Sequence, residues 1–153
     1  MVAARTGVFD ALTKDHRDQL MSLAHEVSFA TGERIFNEGG KADRFWIIRT
    51  GTVALDLHVP GQRAAVIATL GPGELLGWSW LIPPRHWHLG AEAGSPVRAY
   101  EFDASAVVEE CGKDSALNHA LYAYVAGVIA DRLRATRIRL LDLYAPYGAG
   151  PEP

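Results

Sequence analysis

The stretch Phe45-Trp-Ile-Ile-Arg-Thr-Gly-Thr-Val-Ala-Leu-Asp-Leu57 decides how this chain folds. Val53, Leu55 and Leu57, continued by Val59, occupy every second position, the period of a strand with one buried face. The apolar run from Phe45 to Ile48 precedes them, and Thr50-Gly51-Thr52 supplies turn chemistry between the two. Two antiparallel strands joined by a tight turn satisfy both features.

The same punctuation extends in both directions. Val27 and Phe29, then Ile35, mark strands upstream. Segments from Leu89 to Ala93 and from Val97 to Phe102 mark two more downstream. Turn sequences separate them: Thr31-Gly32-Glu33, Glu38-Gly39-Gly40, Pro60-Gly61-Gln62, Gly71-Pro72-Gly73 and Gly94-Ser95-Pro96. Strands without intervening helices argue for an antiparallel sandwich or roll and against βαβ units. Outside this region the period becomes helical. Leu20, Leu23 and Ala24 follow a Thr13 cap in a short helix, Asp103-Ala-Ser105 opens another that Gly112 breaks, and Asp114-Ser115 caps a long one reaching about Leu143.

That long helix carries two apolar stripes. Leu117, Leu121, Tyr124 and Val128 form one; Ile129, Leu133, Thr136, Leu140 and Leu143 form the other at 4-3-4-3 spacing. One stripe covers the roll, and the second predicts a homodimer through residues 115–143 about a two-fold axis. The expected organisation is one domain: a helical segment over 1–25, a β-roll sensor over 26–103, a short helix plus dimerisation helix over 104–144, and a disordered tail over 145–153.

Bulk properties agree with a folded protein. The 153 residues are 48% hydrophobic and 22% charged, with 15 Gly, four Trp and a net charge of −3. No global basic field favours nucleic acid. Cys111 is the only cysteine, so no internal disulfide framework exists, and it reads as a small buried hydrophobe. The first residues lack the apolar stretch of a signal peptide and no transmembrane run occurs, so a cytoplasmic location without membrane contact is expected.

The order of short helix, glycine-punctuated roll, short helix and long helix resembles the sensor half of the Crp/Fnr (catabolite activator protein) family of cyclic-nucleotide-binding regulators. Phe45-Trp-Ile-Ile-Arg-Thr-Gly-Thr-Val53 is similar to its strand-turn-strand stretch. Leu70-Gly-Pro-Gly-Glu-Leu-Leu-Gly77 is similar to the segment leading into its phosphate-binding cassette, and Ala130-Asp-Arg-Leu-Arg-Ala-Thr-Arg-Ile-Arg-Leu-Leu-Asp142 to the second half of its dimerisation helix. The resemblance spans roughly residues 8–144 and implies an antiparallel double-stranded β-helix (β-roll, jelly roll) followed by a long dimerisation helix. Family members continue into a winged helix-turn-helix, so with the chain ending at Pro153 a stand-alone sensor that does not bind DNA is expected.

The resemblance also implies a ligand site, and here the residues depart from the pattern. In the family a Glu after the cassette glycine accepts the ribose 2′-hydroxyl, and an Arg and a small hydroxyl neighbour meet the cyclic phosphate. With Gly77 as that glycine, Trp78 takes the Glu position, Trp87 the Arg position and His88 the hydroxyl position. Ser79 lies at the cassette start, and a shift of one or two residues would bring Arg85 to the phosphate, with His86 or His88 as further donors. Thr136 falls where the family reaches a purine amino group, and Arg137 follows it. Glu74 reads as a turn residue. Gly77, Trp78, Ser79, Arg85, His86, Trp87, His88, Thr136 and Arg137 are thus the candidate ligand-binding residues, with cyclic AMP recognition in doubt.

Between Gly77 and Leu89 stand three Trp, two His and one Arg, a density suited either to a planar or cationic ligand or to indoles filling their own pocket. His86 and His88 alternate as strand neighbours do, but two ligands without a third make a poor metal set. Catalytic constellations are lacking, and an enzyme is not expected. Arg132, Arg134, Arg137 and Arg139, accompanied by Asp131 and Asp142, read as a solvated helix face. Two functions remain: a homodimeric sensor for a cyclic nucleotide or another small ligand, and a ligand-free dimeric module that docks on a protein partner.

Overall fold

The structure, a computed structural model, describes residues 7–148, with side chains as far as Asp142. Eight antiparallel strands form two four-stranded sheets: β1 (His25–Phe29), β2 (Arg34–Phe36), β3 (Arg44–Thr50), β4 (Val53–Leu57), β5 (Ala65–Leu70), β6 (Leu75–Leu76), β7 (Gly90–Ala93) and β8 (Val97–Asp103). One sheet runs β1-β8-β3-β6 and the other β2-β7-β4-β5. Apart from the β4–β5 hairpin, successive strands alternate between the sheets and wind into the expected roll. Helix α1 (Lys14–Met21) precedes it; α2 (Ala104–Lys113) and α3 (Ser115–Gly148) follow.

The local causes are those of the sequence. Thr13 caps α1 by accepting the His16 N–H at 3.2 Å, and Asp103 caps α2 by accepting that of Ser105 at 2.9 Å. Asp114 caps α3, accepting from Ala116 and Leu117 at 3.1 Å each. That cap ends α2: the helix runs through Gly112, expected to break it, and stops at Lys113.

Strand β4 ends at Leu57, before Val59. Val59 opens the turn, whose carbonyl accepts from Gln62 at 3.0 Å, with Pro60 next and Gly61 at φ +75°. Helix α3 continues past Leu143 to Gly148, so the tail expected from residue 145 begins inside it. A proline removes its own N–H from the ladder, which a terminal turn tolerates far better than a helix centre. Residues 149–153, like the side chain of Leu143, lie outside the described residues.

The inner faces of both sheets share one core. Phe45, Ile47, Phe102, Leu55 and Trp80 are almost fully buried, with Phe45 stacked between Trp80 and Phe102 at 4.6 and 4.8 Å. Helix α3 adds Leu117, Leu121, Tyr124 and Val128, the first of its two expected stripes. On the second sheet, Arg34 of β2 grips Asp56 of β4 with two nitrogens across the intervening strand β7. The hydrogen bond to Asp56 raises the Arg34 pKa above its ordinary value, ahead of the opposing effect of burial. Gly90 makes this possible, since a Cβ there would lie 2.2 Å from the guanidinium and 2.4 Å from the carboxylate.

Gly51 turns the β3–β4 connection at φ +90°, and a Cβ there would stand 2.2 Å from the Pro96 carbonyl oxygen. Gly51→Ala is therefore expected to destabilise the fold by about 1–3 kcal/mol in urea unfolding. An unchanged midpoint would show that the turn can relax.

Candidate functional site

The cassette segment runs between β6 and β7 along the mouth of the roll. Gly77 follows β6 at φ +93°, and a Cβ on it would lie 2.9 Å from the indole of Trp87. Trp87 is buried and stacked on Phe36 at 3.9 Å, with Trp46 6.1 Å away. Its backbone is fixed as well, donating to Gly40 and accepting from Gly39, each at 2.8 Å. Trp80 is buried and donates its indole N–H to the Gly77 carbonyl at 3.2 Å.

Trp78 is half-buried and stacks on the His88 ring at 4.9 Å. The His88 Nδ1 in turn lies 3.0 Å from the hydroxyl of buried Ser79. Together with Phe36, Leu55 and Arg132 these side chains leave a cavity of about 20 Å³, room for roughly one water molecule.

Five candidates thus converge: Gly77, Trp78, Ser79, Trp87 and His88 all line this cavity. Arg85 and His86 do not, and both are exposed. Arg85 has φ +60° and its Nε donates to the Trp80 carbonyl at 3.1 Å, which holds one guanidinium nitrogen on the loop's own backbone. Thr136, expected on the second stripe of α3, lies instead on the roll-facing row, where it donates back to the Arg132 carbonyl at 2.8 Å and faces a different groove, while Arg137 is exposed on the helix. Glu74 closes its turn by accepting the Gly71 N–H at 2.6 Å.

Arg132 is the residue that sequence reading misplaced. It leaves the expected solvated face, donates to the Leu75 carbonyl at 2.7 Å and lines the cavity. Spacing of four from Val128, on the roll-facing stripe, was the available signal. Among the described residues no group of three or more His, Cys, Asp or Glu could hold a metal. Burial, with Asp114 and Glu110 nearby, pushes the Cys111 thiol up, so it is protonated at neutral pH and a poor nucleophile. No helix among the described residues is long and apolar enough to cross a membrane.

The model of the cyclic nucleotide-binding domain matches residues 26–114, the roll from the second residue of β1 onward together with α2. The chain belongs to the cyclic nucleotide-binding domain family. Its relatives are Crp-like: the CRP-like cAMP-activated global transcriptional regulator of Mycobacterium tuberculosis is 28% identical over 142 residues, covering 93% of this chain and 62% of that protein. The chain therefore spans about 62% of the length of the curated relatives it matches.

Among solved structures, the N-terminal domain of a transcriptional regulator from Streptomyces coelicolor is 26% identical, with a TM-score of 0.69 over 83% of this chain and 91% of that one. The Thermus thermophilus catabolite activator protein, at 24% identity and a TM-score of 0.71, covers 90% of this chain and 62% of its own, and shares the fold.

If Trp87 is a core side chain, Trp87→Ala is expected to cost about 3–5 kcal/mol in chemical denaturation, as large aromatic truncations do. A cost below about 1 kcal/mol would show instead that the ring is a movable plug.

Proposed function

We propose that this chain is a homodimeric sensor module that does not recognise cyclic AMP in the ordinary manner of its family. One observation carries the reading: the cassette is filled by its own side chains, leaving about 20 Å³. Small-ligand sites occupy roughly 300–1,000 Å³. A nucleotide placed there would meet the ring of Trp78 where a ribose hydroxyl needs an acceptor, and the nearest guanidinium of the loop, Arg85, is bound to Trp80. Each lost hydrogen bond to a charged group costs roughly 1.5–3 kcal/mol, so two losses weaken a micromolar site to about millimolar.

Exposure on α3 supports the homodimer. Leu133 is 69% exposed, Leu140 50% and Leu141 64%, a row of large apolar side chains that a second copy would cover. Arg132 supports a sensing role, because its hydrogen bond ties α3 to the strand that leads into the cassette. The regulatory name of the Mycobacterium tuberculosis relative supports a non-catalytic module. The filled cassette equally favours the second reading, a ligand-free dimer that docks on a protein partner.

Cyclic AMP is expected to give no saturable change in tryptophan fluorescence below about millimolar concentration, since Trp78, Trp80 and Trp87 all sit at the cassette. Saturable quenching at low micromolar nucleotide, abolished by Arg85→Ala, would restore the ordinary family function. Light scattering should report a dimer that becomes a folded monomer on combined Leu133→Glu and Leu140→Glu substitution. A wild-type monomer at high micromolar concentration would refute the dimer.

A further inference from the structure

Beyond the cassette the roll-facing side of α3 changes chemistry. The row Leu117, Leu121, Tyr124, Val128 continues at helical spacing through Arg132, Thr136 and Arg139, so an apolar face becomes basic as it passes the outer end of the β4–β5 hairpin. There the two elements enclose a groove of about 590 Å³ that, among the described residues, shares no lining residue with the cassette cavity. Its volume lies within the range typical of small-molecule sites.

Val59 and Ile67 of the hairpin segment and Leu140 of α3 contribute apolar wall. Arg63 and Arg139 contribute two positive charges, and among the described residues no carboxylate lines the groove. The Nε of Arg139 is buried and makes no hydrogen bond among the described residues. A buried donor without an acceptor is unfavourable, and an oxyanion answers both that N–H and the excess positive charge.

We propose that this groove binds an amphipathic anion: a carboxylate or comparable oxyanion head held by Arg139 and Arg63, with a hydrocarbon or aryl body on Val59 and Ile67. The inference rests on the sensor reading and gives a fold with a filled cassette its ligand class and place. Charge complementarity favours this occupant, because an oxyanion head answers the two positive charges and the buried Arg139 N–H together, which an apolar surface does not. An occupant touching both hairpin and helix stabilises one arrangement of the two over others.

The experiment titrates the full chain with decanoate, decanol and decylammonium, followed by calorimetry and by amide chemical shifts. Decanoate is expected to bind once per chain, with shifts concentrated in residues 57–67 and 136–140 and absent from 77–89. Arg139→Gln should weaken it by about tenfold or more, and decanol and decylammonium should bind weaker than decanoate by at least the same factor. Arg63→Gln, on the exposed hairpin, gives the same test if the helix variant fails to fold. Equal affinity for decanoate and decanol, or no effect of either substitution, overturns the proposal. Decanoate shifts confined to 77–89 overturn it while leaving the sensor reading intact. Failure of all three ligands to bind, with 136–140 perturbed only by protein concentration, assigns the groove to a second copy and also overturns it.

Discussion

The indole of Trp87 lies against the bare backbone of Gly77, and the mouth of the roll is built around that contact. The ring occupies the space that a side chain at position 77 would need, and Phe36 stacks on it at 3.9 Å. Backbone hydrogen bonds to Gly39 and Gly40 hold the Trp87 position in register with the opposite turn. With that ring inside, its neighbours His86 and His88 are both solvent-exposed, and His88 also lines the cavity. His88 then pairs with Trp78 and Ser79, and the segment between β6 and β7 packs closely on itself.

Helix α3 turns this local closure into an architecture. Its first half is anchored in the core through Leu117, Leu121, Tyr124, Val125 and Val128. Beyond Val128 the contacts become polar: Arg132 reaches the Leu75 carbonyl and Arg139 enters the hairpin groove. The opposite side keeps Leu133, Ile138 and Leu141 in solvent. One helix therefore carries three surfaces, and each follows from spacing on a 3.6-residue turn.

Much of the fold was legible because its signals are local. Val53, Leu55 and Leu57 announced β4, and the caps at Thr13, Asp103 and Asp114 set helix starts at or next to their positions. Strand β5 was harder to read, because Ala64-Ala-Val-Ile-Ala68 does not alternate in polarity, and β6 is only two residues long. At the cassette, order along the chain identified Gly77 and its neighbours as one cluster, but not that Arg85 is held outside it by the Trp80 carbonyl. Arg132 was hidden for a related reason: a guanidinium on a mixed-charge helix looks solvated until a particular carbonyl is placed opposite it.

By itself the sequence determined most of the elements, the antiparallel class and the roll-facing stripe of the long helix. Periodicity, turn residues and caps act over a few residues, so their consequences can be read in order. The tertiary structure alone decided that Trp87 fills the mouth, that Arg132 joins helix to strand, and that Arg139 faces a groove with its Nε unpaired. These outcomes depend on register between strands and on the rotation of α3 against the roll. Both are set by packing between residues far apart in the chain, which no local pattern encodes.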